Sequence, residues 1–170
     1  MRTTSMVLVL FVLACGCGAP TTTTQDAGAA DGAKAPVLDG SYAFLAKRVQ
    51  FSTQTSGGGA MPGDNLSIFI TDGCTGFGDR SVTLGLFSLD HRALTPGVVT
   101  IERSTATTSA SVSYSASGAS QNAVSGTVTM EVVDFQTLSN NRGSFNVRFY
   151  QPDGGVPTLS GTFDGRYLCQ

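Results

Sequence analysis

Alternation of apolar and polar residues along the second half of the chain is the feature that most constrains its fold. Between residues 124 and 132, Val, Gly, Val, Met and Val occupy one parity, and Ser, Thr, Thr and Glu occupy the other. The pattern is repeated by four further sets of residues: Leu66, Ile68 and Ile70; Val82, Leu84 and Leu86; Phe145, Val147 and Phe149; and Leu159, Gly161 and Phe163. Successive side chains of a strand point to opposite faces, so a period of two predicts half-buried strands. No segment of ten or more residues has a convincing 3.6-residue period, so the pattern does not indicate helices.

Turn-forming residues separate the alternating segments. The stretches 139–143 (SNNRG) and 152–155 (PDGG) are typical of hairpins, because Asn and Gly tolerate positive φ. About eight strands with short connections predict an all-β fold. We expect an antiparallel β-sandwich of about eight strands, with a small closed β-barrel as the alternative.

One short pattern occurs twice near the carboxyl end of the chain. Residues 143–149 and 161–167 both fit G-[ST]-F-[ND]-x-R-[FY], 18 residues apart. We interpret the repetition as recurring strand-and-turn geometry in an antiparallel meander rather than as a repeated binding site.

The amino-terminal segment has the layout of an export signal. Residues 1–6 carry a positive charge, and residues 7–13 (VLVLFVL) are all apolar. A transmembrane helix needs about 20 apolar residues, so this run is too short to span a bilayer. The segment 1–14 is therefore predicted to be a cleavable signal peptide.

The motif Val12-Leu13-Ala14-Cys15 resembles the lipobox of bacterial lipoproteins. In that family the cysteine thiol receives a diacylglyceryl group, the chain is cleaved just before the cysteine, and the new amine is usually acylated, commonly with palmitate. The resemblance implies that Cys15 is the lipid attachment site and that the protein is anchored at the bacterial cell envelope. Cys17 is a second candidate, but Ala14 stands where an aliphatic residue is usual. Gly16, in place of an inner-membrane retention Asp, implies the outer membrane.

Residues 15–36 have the composition of a lipid-anchored flexible linker. They contain a run of Thr and lack aromatic residues and apolar periodicity. Such a segment cannot bury enough apolar surface to offset its ordering entropy. Its root-mean-square reach is about 25 Å. Residues 37–170 are then predicted to form the β-rich extracytoplasmic domain.

The cysteines beyond the anchor suggest one disulfide. Cys74 and Cys169 both fall inside the predicted domain, and an exported chain folds in an oxidising compartment. We predict a disulfide between them, with two unpaired buried thiols as the alternative. Cys17 remains as an odd thiol. A metal site is not expected, because the chain has no CxxC pair and one histidine.

Catalytic constellations are not evident in the sequence. His91 is the one histidine, and its neighbour Asp90 would point to the opposite face of a strand, so an orienting hydrogen bond between them is not expected. Arg92 completes what we interpret as a solvated loop. Each remaining strand or turn carboxylate is interpreted as a single outward charge rather than half of a hydrolytic pair, namely Glu102, Glu131, Asp134 and Asp164.

The loop that contains Cys74 is rich in glycine and carries two acids. Asp72 and Asp79 offer oxygens to a cation, but the spacing of a calcium-binding loop is missing. We interpret Gly73, Gly76 and Gly78 as a tight turn around the disulfide.

Composition and charge exclude one class of partner. The net charge is −2, and the ten Lys and Arg residues are scattered, so a nucleic-acid interface is not expected. We expect a membrane-tethered lipoprotein with a non-enzymatic structural or binding role, with no cofactor and with an envelope protein or polysaccharide as partner. The alternatives are a carbohydrate or small-ligand binding module and a minimal hydrolase.

Overall fold

The chain forms an all-β domain, as its alternation predicts. The computed structural model describes residues 22–23, 34–54, 64–75, 78–90, 92–101 and 107–168. These residues contain ten strands and the short 3₁₀ helix Leu138–Asn140. The strands are β1 (Thr22–Thr23), β2 (Lys34–Gly40), β3 (Arg48–Gln54), β4 (Asn65–Thr71), β5 (Arg80–Ser88), β6 (Gly97–Thr100), β7 (Thr108–Ala116), β8 (Ala119–Val132), β9 (Arg142–Phe149) and β10 (Thr158–Asp164).

The strands form one antiparallel sheet that is nearly closed. Their order is β1-β3-β4-β5-β7-β8-β9-β10-β2, and β6 pairs with β8 beside this path. The sheet curls until β3 meets the chain that follows β10, where the N–H of Val49 donates to the carbonyl oxygen of Tyr167 over 2.7 Å. The architecture is therefore barrel-like. Of the two arrangements expected from the sequence, it is the barrel, the alternative to the preferred sandwich, that describes this sheet.

A long, bent strand turns the corner of the barrel. The first part of β8 pairs with β7, and the rest pairs with β9 and β6. Its register shifts between Ala123 and Ser125. Gly126 follows at φ +134°, and a Cβ there would collide with the carbonyl oxygen of Asn146. Glycine is therefore required where β8 changes direction and presses against β9.

The side chains on the inward-facing parity of the strands fill the barrel. Alternate residues of β4 are buried as predicted, and the same holds for β9. The following side chains are fully inaccessible to solvent: Val49, Leu66, Ile68, Ile70, Val82, Leu84, Val128, Val147, Phe149 and Leu159. The axis of the barrel is thus occupied by a packed aliphatic and aromatic core.

The segment 41–47 crosses one end of the barrel instead of forming a strand. Tyr42 stacks on Tyr114 of β7 with 4.5 Å between ring centroids. Phe44 lies beneath Arg80 of β5, with 5.5 Å from the guanidinium carbon to the ring centroid. The apolar spacing predicts a strand from Tyr42 to Phe51 with a bulge at residues 45–47, and for residues 42–47 that prediction is wrong. Their aromatic rings pack over the core from its end, and β3 begins only at Arg48.

The repeated G-[ST]-F pattern has a geometric explanation. The two copies lie on β9 and β10, which pair so that Gly161 faces Phe145 and Gly143 faces Phe163. A Cβ on either glycine would lie 2.9 Å from ring atoms of the opposing phenylalanine. Each glycine thus makes room for the aromatic ring of the other copy. The interpretation of the repeat as meander geometry agrees with this pairing.

Ordered backbone begins before the expected start of the domain at residue 37. β2 starts at Lys34 and pairs with β10. Within the segment interpreted as a linker, Thr22 and Thr23 pair with Gln54 and Thr53 of β3. The predicted signal peptide, residues 1–14, lies outside the described residues.

A buried amide supports the loop that closes the barrel. The Nδ2 of Asn141 donates to the carbonyl oxygens of Asp134 and Leu138 over 2.9 and 2.8 Å, and its Oδ1 accepts the N–H of Asp134 over 2.9 Å. The carbonyl oxygen of Asn141 accepts the N–H of Gly165 over 3.0 Å. The side chain is fully inaccessible to solvent. Asn141 therefore joins the β8–β9 connection to the residues that lead to Tyr167.

Replacement of this amide should weaken the whole domain. Asn141→Ala removes three side-chain hydrogen bonds and leaves buried partners unsatisfied, so we expect a loss of about 2–4 kcal/mol in the free energy of unfolding. Asn140→Ala is the matched control, because Asn140 makes one exposed bond to Asp134 and should lose about 1 kcal/mol or less. Urea unfolding followed by circular dichroism measures both. Equal losses would contradict this role for Asn141.

Candidate functional site

Several residues singled out in the sequence lie outside the described part of the chain. These are Cys15, Cys17, Gly76, His91, Glu102 and Cys169. The lipid attachment site and the histidine loop therefore stay predictions.

Cys74 is the one cysteine among the described residues, so no disulfide joins two of them. The pairing of Cys74 with Cys169 therefore stays a prediction.

The loop between β4 and β5 is a tight turn built on two glycines and an ion pair. Asp72 accepts the backbone N–H and the Nε of Arg80, each over 3.0 Å. A Cβ on Gly73 would lie 2.6 Å from the Cα of Gly78, and Gly78 has φ +65°. The glycines therefore let the two sides of the loop touch through their backbones, which matches their interpretation as a turn.

The same loop lines a shallow cleft of balanced charge. Asp72, Asp79, Lys47 and Arg80 all border it. Partial burial alone would raise the pKa of Asp72, but the hydrogen bonds and charge of Arg80 outweigh it and lower that pKa. The described residues contain no cluster of three metal-ligating side chains. Arg80 neutralises the carboxylate of Asp72, as a bound metal cation would do.

The connection after β5 is a local hydrogen-bonded turn. The hydroxyl of Ser88 donates to Asp90 over 2.7 Å and lowers the pKa of that carboxyl. Arg92 pairs with Asp90 at 3.5 Å. Asp90 is thus engaged by its own turn rather than directed toward a reacting group.

Two of the four strand and turn carboxylates are brought together by an arginine. Arg142 lies 3.1 Å from Glu131 and 3.9 Å from Asp164. All three side chains are about half exposed. A solvated pair with a guanidinium between its members stabilises the edges of β8, β9 and β10 weakly. It does not give the separated acid and base that glycoside hydrolysis uses.

Asp134 caps the loop after β8. Its carboxylate accepts the N–H groups of Gln136 and Thr137 and the side-chain amide of Asn140, over 2.8 to 2.9 Å. These donors, that of Thr137 first, hold the pKa of Asp134 below its ordinary value. The role of this carboxylate is to shape the loop that also contains Asn141.

The aromatic cluster at the end crossed by residues 41–47 is turned inward. Tyr42 contacts Phe149 edge to face, with 5.1 Å between centroids, in addition to its stack on Tyr114. Burial raises the pKa of Tyr114. The Tyr42 hydroxyl donates to Gln121 over 2.8 Å. Because these rings cover one another, the cluster closes the barrel end instead of offering an open stacking face for a sugar.

A cavity of about 250 Å³ lies beside β6, and we call it the β6 cavity. Its lining is mostly aliphatic, with threonines at the edge, and consists of Leu66, Leu86, Leu94, Thr95, Pro96, Gly97, Val98, Val99, Thr107, Thr108, Met130 and Val133. The alternation places several of these residues on the inner face, but it does not reveal that the packing between them leaves space. Sequence reasoning therefore missed this site.

Neither a similar protein nor a membrane-spanning helix helps to interpret the described part of the chain. No protein-family model matches the chain, and no curated protein or solved structure matches it. No helix among the described residues is long and apolar enough to cross a membrane. The site must therefore be interpreted from this chain's own residues.

The loop held by Asp134 should depend on pH. Because its folded-state pKa is lowered, the stability from this carboxylate is complete above pH about 4 and is lost as the pH falls toward the folded-state value. Asp134→Asn removes the charge, so the variant should unfold more easily than the wild type at pH 7. The two should converge in acid. Urea unfolding at stepped pH tests this, and a difference that does not change with pH would refute it.

Proposed function

We propose that the protein is a lipid-anchored lipoprotein of the bacterial cell envelope whose barrel has a non-enzymatic structural or binding role. The observation that carries the proposal is the motif Val12-Leu13-Ala14-Cys15 directly after a seven-residue apolar run. Its resemblance to a lipobox implies acylation of Cys15. Gly16 favours the outer membrane.

The character of the barrel supports a role without catalysis. Its interior is filled by apolar side chains. The acid or base candidates in the described part of the chain have structural partners, since Asp72 binds Arg80, Asp90 binds Arg92, and Glu131 and Asp164 flank Arg142. Asp134 caps a loop. A minimal hydrolase is therefore the least supported alternative.

The outer face of the sheet supports an envelope protein or polysaccharide as partner. Thr127, Asn146 and Ser160 lie side by side on β8, β9 and β10. Arg148 and Ser125 form the neighbouring pair. Hydroxyl, amide and guanidinium groups in such rows hydrogen-bond to peptide or sugar oxygens. A carbohydrate-binding module is the alternative, and the inward-facing aromatic cluster does not favour it.

The anchor is tested by removing its thiol. In a bacterial host, Cys15→Ser should move the protein from the membrane fraction to the soluble extracytoplasmic fraction and abolish incorporation of labelled palmitate. The loss of two or three buried acyl chains removes most of the membrane affinity. Fractionation with immunoblotting measures the distribution.

Cys17→Ser is the matched control, since it removes a thiol two residues away. It should leave the protein acylated and membrane-bound. Release by Cys17→Ser alone would transfer the assignment to Cys17. Retention of label and membrane association by both variants would overturn the lipoprotein assignment.

We further propose that Cys74 pairs with Cys169. Tyr167 bonds to Val49, and the N–H of Lys47 donates to the carbonyl oxygen of Thr71, three residues before Cys74. Consecutive Cα atoms are about 3.8 Å apart, so a residue two positions after Tyr167 is within reach of this end of β3 and β4. An oxidising compartment would then form the bond.

Thiol alkylation tests the pairing. Without reductant, Cys74 and Cys169 should both resist alkylation, and Cys74→Ser should make Cys169 reactive. Closing a loop of nearly a hundred residues stabilises a fold by about 2–5 kcal/mol, so Cys74→Ser should also lower the free energy of unfolding by that amount. Cys17→Ser should change neither result. Tandem mass spectrometry of the unreduced digest identifies the linked peptides, and a link from Cys74 to Cys17 would contradict the pairing.

A further inference from the structure

The hydrogen-bonded wall of the barrel is interrupted beside the β6 cavity. β7 pairs with β8 only from Ser113 to Ala116, and farther along β8 its place is taken by β6, from Gly97 to Thr100. In the described part of the chain, no ladder joins β6 to β7. The cavity is bordered by both of these strands. A small molecule bound between these strands would therefore break no described ladder.

The lining determines which part of a molecule fits inside. Leu66, Leu86 and Met130 form a floor that is almost fully buried. No charged side chain borders the cavity among the described residues. A charged group placed inside would lose its hydration without gaining an opposite charge. The inserted part of a ligand must therefore be uncharged and mostly hydrocarbon.

The edge of the cavity has a different chemistry from its floor. Thr95 and Thr107 are exposed residues of its lining, and their hydroxyls both donate and accept hydrogen bonds. A neutral polar group held at this edge would keep contact with water and with these hydroxyls. In the described part of the chain, the cavity thus combines an apolar interior with an uncharged polar rim.

The volume sets the size of the inserted group. An apolar protein cavity of about 150 Å³ stays dry and binds benzene. By the same measure, a cavity of about 250 Å³ has room for roughly ten carbon atoms. This is the size of a medium-length alkyl chain.

We propose that the β6 cavity binds the alkyl chain of a small neutral amphiphile, with the polar group of that ligand at the Thr95–Thr107 edge. The site goes beyond the proposed envelope role and does not depend on acylation of Cys15. It gives the barrel one ligand-binding position in a domain whose axis is otherwise packed.

A homologous series of alcohols tests the site. The full-length Cys15→Ser chain is used, because it needs no detergent whether or not the natural chain is acylated. Titration with 1-butanol, 1-hexanol and 1-octanol should be saturable, and the methyl resonances of Leu94 and Met130 should shift. Each added methylene should tighten binding by about fourfold. Octanoate should bind at least about tenfold more weakly than 1-octanol, because no cation lines the site among the described residues.

Filling the cavity supplies the matched comparison. Val133→Phe places a ring in the cavity and should weaken the binding of 1-octanol by about tenfold or more. Val37→Phe is the control, since Val37 is 66% exposed and outside the lining, and it should bind as the parent does. If circular dichroism shows that Val133→Phe is unfolded, Leu94→Phe replaces it.

Three results would overturn the proposal. The first is the absence of saturable binding by every alcohol. The second is undiminished binding to a folded cavity-filling variant, which would place the alcohol elsewhere on the surface. The third is equal affinity for octanoate and 1-octanol, which would contradict the neutral head group. None of these results bears on the lipid anchor, because fractionation and palmitate labelling test the anchor separately.

Discussion

The hydrogen bond from Val49 to Tyr167 joins β3 to the chain that has just left β10. A curled sheet with two open edges exposes unpaired N–H and C=O groups and leaves its inner face accessible. The contact between Val49 and Tyr167 pairs part of each open edge and encloses the core. Tyr167 reaches this position because Asn141 holds Gly165. The barrel is therefore sealed by a loop whose own polar groups are satisfied by one buried amide.

Most of the aromatic and ionic side chains described above stabilise the fold of the domain. The aromatic residues at one end cover each other, and the ionic groups of the turns neutralise each other locally, as Asp72 and Arg80 do. Among the described residues, the polar outer face and the unpaired border between β6 and β7 remain for interaction. Under the proposed function, the amino-terminal segment would place these surfaces at the cell envelope.

Local patterns predicted much of the fold, and long-range geometry decided the rest. Alternation located β4, β5, β9 and β10, because the parity of a strand depends only on its own residues. It did not distinguish a sandwich from a barrel, since both need the same parity. Around Tyr42 it suggested a strand where aromatic residues instead pack across the barrel end. The β6 cavity arises where β7 and β8 diverge, and no single segment encodes that divergence.

The facing of glycine and phenylalanine between β9 and β10 has a consequence for how the chain finds its register. In the native pairing, Gly143 meets Phe163 and Gly161 meets Phe145. A slip by two residues in one direction would set the two glycines opposite each other and leave a gap in the core. A slip in the other direction would force the two rings into the same space. The hairpin thus disfavours the two smallest slips that would keep the same faces of β9 and β10 turned inward.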